Sequence, residues 1–97
     1  MAMEHVAGKN IGDIKVYALS TCPWCKKTKQ LLNDLGVEYS FIDVDLLTGS
    51  EREQTIGIVK KLNPSVSFPT LVINNTKTII GFKENEIKEA LKESSKV

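Results

Sequence analysis

Apolar residues fall in short bursts along the chain, and their spacing switches between strand and helix periods. The run DIKVYAL at 13–19 is β-prone and stops at Ser20 and Thr21, which predicts a central strand. From Pro23 onward Thr28, Leu31, Leu32 and Leu35 recur at helical spacing, and Gly36 follows as a stop signal. VEYSFIDVD at 37–45 returns to β character, so the first helix joins two parallel neighbours in a right-handed β-α-β unit. Ser50 and Glu53 have capping-box spacing, and Ile56, Val59 and Leu62 share one face, which predicts a second helix over 51–62. NPSVSFPT forces a loop. TLVIN at 70–74 and KTIIGF at 77–82 form a hairpin across a polar Asn-Asn-Thr turn. Ile87, Ala90 and Leu91 mark a last helix, with Glu84 and Glu86 in its first turn where acidic groups suit the dipole. The predicted order is β-α-β-α-β-β-α.

Residues 1–12 lack periodicity and are expected to be a flexible leader to a single domain over 13–97. A chain of 97 residues, 41% hydrophobic, fits one compact monomeric domain. Net charge is +1 with both signs scattered, so nothing in the charge pattern points to nucleic acid. The opening residues have no apolar signal core and no run is long enough to span a bilayer, which makes the cytoplasm the expected location.

The chemistry concentrates at STCPWC, residues 20–25. Two cysteines are too few for a secreted disulfide framework, and a reducing cytosol does not keep an ordinary bridge closed. A zinc site needs more ligands than Cys22, Cys25 and His5 supply, so no metal is expected. An inert pair of buried thiols remains the plain alternative to a redox pair. The strand-to-helix junction favours the redox pair: the first sulfur meets the helix N-terminus, where unpaired N–H groups and the dipole stabilise a thiolate. Cys22 is then the nucleophile, and Cys25, one turn further in, is the resolving thiol, the two closing a redox-active disulfide. Pro23 suits the first helical turn and stiffens the ring between the cysteines. Trp24 offers either packing or an aromatic contact for a partner. Lys26, Lys27 and Lys29 bring positive charge to the same helix, either to act on the sulfurs and acidic partners or as a solvated face.

From about Ile14 to Leu91 the chain resembles the glutaredoxin branch of the thioredoxin-fold superfamily. Cys22-Pro23-Trp24-Cys25 is similar to the dithiol glutaredoxin signature, with Trp where Tyr is usual, and Ser67-Phe68-Pro69 falls where the family has its Thr-Val-Pro loop. The resemblance implies an α/β thioredoxin fold with a mixed four-stranded sheet flanked by three helices. It also implies a cis Pro69 beside the disulfide and a Phe68 backbone that pairs with substrate as an added strand.

Two departures bear on the electron donor. Glutathione-using members usually carry a basic residue shortly before the first cysteine and Gly-Gly-x-Asp before the last helix. Here Leu19-Ser20-Thr21 and Ile80-Gly81-Phe82-Lys83-Glu84 stand at those places. Gly81-Phe82-Lys83 is similar instead to the Gly-Phe-basic stretch of the NrdH-redoxins, the glutaredoxin-like electron donors of ribonucleotide reductase. The resemblance thus implies a dithiol-disulfide oxidoreductase for protein disulfides, without a bound cofactor and recharged by a thioredoxin reductase-like protein. Glutathione as co-substrate is the alternative, and an iron–sulfur carrier the alternative of another class.

Overall fold

A computed structural model of the protein describes residues 3–95. Strands β1 (Glu4–Val6), β2 (Ile14–Ala18), β3 (Tyr39–Asp43), β4 (Thr70–Ile73) and β5 (Lys77–Ile80) alternate with helices α1 (Pro23–Leu35), α2 (Gly49–Leu62) and α3 (Glu84–Ser95). They build one mixed sheet in the order β1-β3-β2-β4-β5. β2 and β3 run parallel, Val16 opposite Phe41, because α1 carries the chain back between them. β4 lies antiparallel on the other side of β2, Tyr17 opposite Thr70.

β2 is buried on both faces from Val16 to Ala18, which explains why its residues there are all apolar, while Lys15 stays partly exposed. Val16 and Ala18 face a core closed by Leu31 and Leu32 of α1 and by Ile87, Ala90 and Leu91 of α3. Tyr17 faces a second core with Ile42, Val72 and Val59 of α2. Helix α1 ends where expected: Gly36 adopts φ 70°, and its N–H and that of Val37 donate to the carbonyls of Asn33 and Leu32. The hairpin turns through Asn74 and Asn75, both at positive φ.

Three expectations need correction. The sheet has five strands, because the segment expected to be a flexible leader carries β1, antiparallel to β3 with His5 opposite Ser40. Three residues with no alternating burial give no periodic signal, so backbone pairing alone recruits them. Helix α2 begins at Gly49, not residue 51, and the capping box does not form. Gly49, at φ 58°, turns the chain into the helix early and leaves Ser50 inside the first turn. Finally, β3 stops at Asp43, and Val44–Leu46 form a short 3₁₀ helix where strand was expected to 45.

Behind β1 the chain is stitched to the end of α1. Lys9 N–H donates to Gly36 O at 2.8 Å, and Glu38 N–H donates to Lys9 O at 2.9 Å. Gly8 permits this approach, since a Cβ there would lie 2.6 Å from the Val37 carbonyl carbon. Gly8→Ala is therefore expected to destabilise the fold by about 1–3 kcal/mol, the usual cost of overpacking. Urea unfolding measures the loss, and faster amide exchange at Lys9 and Glu38 localises it.

Candidate active site

Cys22 sits just before α1 with extended backbone, φ −80° and ψ 118°, and its Sγ accepts the Cys25 N–H at 3.3 Å. The first sulfur thus occupies the N-cap position, where a side-chain acceptor satisfies an otherwise unpaired helix donor. Pro23 follows at the first helical position, where its missing N–H costs nothing. Cys22 is half-buried and Cys25 is fully buried, and both thiols are free. Burial first, then the hydrogen bond with Cys22, pushes the Cys25 thiol up to about 12. The pair is asymmetric: one sulfur can meet a substrate, and the other can be reached only from within.

Trp24 leaves 54% of its surface exposed. It stacks on Phe82, with ring centroids 6.0 Å apart and planes 24° from parallel, and Lys27 Nζ lies 4.6 Å above the indole. Lys26 is solvent-exposed. Beside this aromatic pair an open groove of about 300 Å³ is lined by Lys27, Gln30, Leu31, Asp34, Phe82 and Glu84. Lys83 is exposed and lies 4.0 Å from Glu86.

The Phe68-Pro69 peptide is cis. Pro69 is buried, and Phe68 packs partly against both cores. Since Thr70 pairs with Tyr17, this loop lies at the sheet end where β2 runs into Cys22. A further link closes the arrangement: Gly81 N–H donates to Pro69 O at 2.9 Å, and Phe82, the next residue, is the one stacked on Trp24. Gly81 takes φ 83° there, which its missing Cβ allows. The structure thereby brings Cys22, Cys25, Trp24, Phe68, Pro69, Gly81 and Phe82 to one end of the sheet.

Several supporting residues escaped the sequence reading. Asn63, fully buried, shares its Nδ2 protons among Ser67 O, Ser67 Oγ and Thr70 Oγ1, and its Oδ1 accepts the Ser65 N–H. It is the internal frame of the Pro69 loop. Ser20, just before the cysteines, donates N–H and Oγ–H to the two oxygens of Asp45 at 2.8 and 2.5 Å. These Ser20 hydrogen bonds hold the Asp45 carboxyl below its ordinary range. Lys29, for which the sequence left open a role at the sulfurs or a solvated face, is half-buried and ion-paired to Asp43 at 2.9 Å, with Phe41 4.0 Å beneath its ammonium. An Asn after a helix or a Lys within one carries no local signal of such partners, because they come from distant segments.

A mixed sheet between α1/α3 and α2, with a C-x-x-C at the start of α1 and a cis-proline loop beside it, defines a thioredoxin-fold thiol–disulfide oxidoreductase. The glutaredoxin family profile matches residues 14–77, and the chain belongs to the glutaredoxin family. It is 53% identical to the glutaredoxin from Methanosarcina mazei Go1, with a TM-score of 0.86 over 94% of this chain and 88% of that one. It is 52% identical to Methanosarcina acetivorans methanoredoxin, again with a TM-score of 0.86, covering 94% of this chain and 95% of that one. Among curated sequences it is 34% identical over 79 residues to an uncharacterized glutaredoxin-like 8.6 kDa protein in the rubredoxin operon of Clostridium pasteurianum, covering 80% of this chain and 96% of that protein. Among the described residues no group of three or more His, Cys, Asp or Glu side chains is placed to hold a metal ion, and no helix is long and apolar enough to cross a membrane.

Proposed function

We propose that this glutaredoxin acts as a monomeric cytoplasmic electron carrier that reduces protein disulfides and is recharged by a thioredoxin reductase-like protein. The asymmetric pair carries the reading: a half-exposed Cys22 sulfur at the helix start against a fully buried Cys25. Cys22 thiolate attacks a substrate disulfide, expelling one substrate thiolate and forming a mixed disulfide. Cys25 then attacks the Cys22 sulfur, and the second substrate thiol leaves with the proton that Cys25 gives up. Two electrons pass to the substrate, and the chain retains a Cys22–Cys25 disulfide. The Phe68 backbone pairs with an extended substrate segment, and Trp24 and Phe82 offer it an aromatic contact beside Lys26 and Lys27. Ribonucleotide reductase is one candidate substrate.

The donor preference follows from charge. Glutathione carries two carboxylates, each of which gains about 1.5–3 kcal/mol from a charge-assisted hydrogen bond. Ser20 and Thr21 bring no charge before Cys22, Ser20 is committed to Asp45, and Lys83 has Glu86 within 4.0 Å. A donor comparison on one protein disulfide tests this. Turnover with the protein reductase is expected to exceed turnover with glutathione and its reductase by at least about tenfold, the equivalent of one such contact. Faster turnover with glutathione than with the protein reductase would make glutathione the donor, and equal rates would remove the preference.

A further inference from the structure

The second step has a difficulty that the site geometry itself raises. Cys25 must lose its proton in order to attack, yet it is fully buried. When Cys22 is joined to substrate it no longer bears a negative charge and no longer presents a free thiol, so the two influences of Cys22 that hold the Cys25 proton on are weakened. Burial remains to oppose the thiolate. A backbone hydrogen bond at Leu19 and, after it, the charge of Lys29 favour it.

We propose that the Lys29–Asp43 ion pair is the positioning device for the resolving step, holding an ammonium within electrostatic reach of Cys25 so that its thiolate can form during attack on the mixed disulfide. Lys29 follows Cys25 by four residues on α1, which places the two on the same face one turn apart. Its ammonium is fixed from two sides, by Asp43 Oδ1 of β3 at 2.9 Å and by the Phe41 ring at 4.0 Å. Lys29 and Asp43 side chains are only 19% and 16% exposed, so solvent screens their charges less than it screens those of Lys26 or Lys27. The groups facing Cys25 are Cys22 and Leu19 at the helix start, Lys29 from its own helix and, behind Lys29, Asp43 from the sheet. Lys29 thus favours the thiolate, whereas Asp43 moderates the field while anchoring the ammonium. In the reaction the Cys25–Sγ to Cys22–Sγ bond forms, the Cys22–substrate bond breaks, and the Cys25 proton ends on the departing alkyl thiolate or, where the leaving group is a weakly basic aromatic thiolate, in solvent.

The inference rests on the dithiol mechanism, and one experiment separates the two. An aromatic disulfide of nitrothiobenzoate releases its coloured thiolate once when Cys22 attacks and again when Cys25 resolves, so stopped-flow absorbance times each step. Lys29→Met is expected to leave the first phase near wild type and to move the pH profile of the second upward by about one unit. At neutral pH the thiolate fraction then falls about tenfold, and the higher nucleophilicity of a less acidic thiol recovers about threefold, so resolution slows about threefold. Lys29→Arg should restore the wild-type profile. Asp43→Asn, whose amide oxygen can still accept from the Lys29 ammonium and keep it in place, should move the profile the other way, to lower pH, because the ammonium then loses its counter-charge. A merely structural role would shift both variants alike, so parallel shifts, or none, overturn the proposal. If Lys29→Met does not fold, Asp43→Asn decides alone, with an unchanged or upward-shifted profile counting against it. Should Cys25→Ser still release both equivalents, the dithiol mechanism falls, and the Lys29 inference with it.

Discussion

Cys25→Ser is expected to attack protein disulfides and then stop, accumulating a mixed disulfide through Cys22, whereas Cys22→Ser should trap little or nothing. The two sulfurs differ in access before they differ in chemistry. Cys22 is half-buried at the open start of α1, and Cys25 has no exposed surface and a thiol pushed up to about 12 by burial and its contact with Cys22. A substrate disulfide can therefore approach only the first. Removing Cys22 should lower disulfide reduction by at least about 10³-fold, as expected when a covalent nucleophile is deleted. Mass spectrometry of each variant after exposure to an oxidised protein substrate distinguishes the outcomes. Equal trapping by both variants would reverse or abolish the assigned order of attack.

Asn63→Ala should be the most damaging substitution outside the cysteine pair. Asn63 lies between α2 and the Pro69 loop, and each of its polar groups is used: the backbone N–H and C=O bind Val59 and Val66, and the side chain binds Ser65, Ser67 and Thr70. Truncation leaves buried partners without hydrogen bonds and opens a void, for a combined loss of about 2–4 kcal/mol. In a domain of this size that lowers Tm by at least about 8 °C. Asn63→Asp keeps the volume and loses both Nδ2 donors while burying a charge, so it should be no better. Because the loop bears Phe68, the Asn63→Ala variant is also expected to lose reduction of a protein disulfide in greater proportion than reduction of a small aromatic one. A Tm within 2 °C of wild type, with the same ratio of activities, would show that the loop does not depend on this residue.

Much of this follows from the order of residues alone. The apolar run of β2, the helical spacing of Thr28, Leu31 and Leu32, Gly36 as terminator and the two asparagines of the hairpin turn are local signals, set by backbone sterics and side-chain period, and each appears in the structure where the pattern places it. The cysteine pair is legible for the same reason: its chemistry is set by two residues of spacing at a strand-to-helix junction. What the pattern could not supply depends on partners far along the chain. Strand β1 exists because β3 offers it an edge and because Gly8 lets the chain pass close to Val37. Ser20 and Asp45 are 25 residues apart, and Lys29 and Asp43 are 14 apart. Asp43 ends β3 and Asp45 lies two residues on in the short 3₁₀ helix, and only packing turns one inward to the lysine of α1 and the other to the backbone before Cys22. Local period determined which sulfur meets the solvent, and tertiary structure decided which charges surround the sulfur that does not, since an electrostatic field in a half-buried site is set by distance through space.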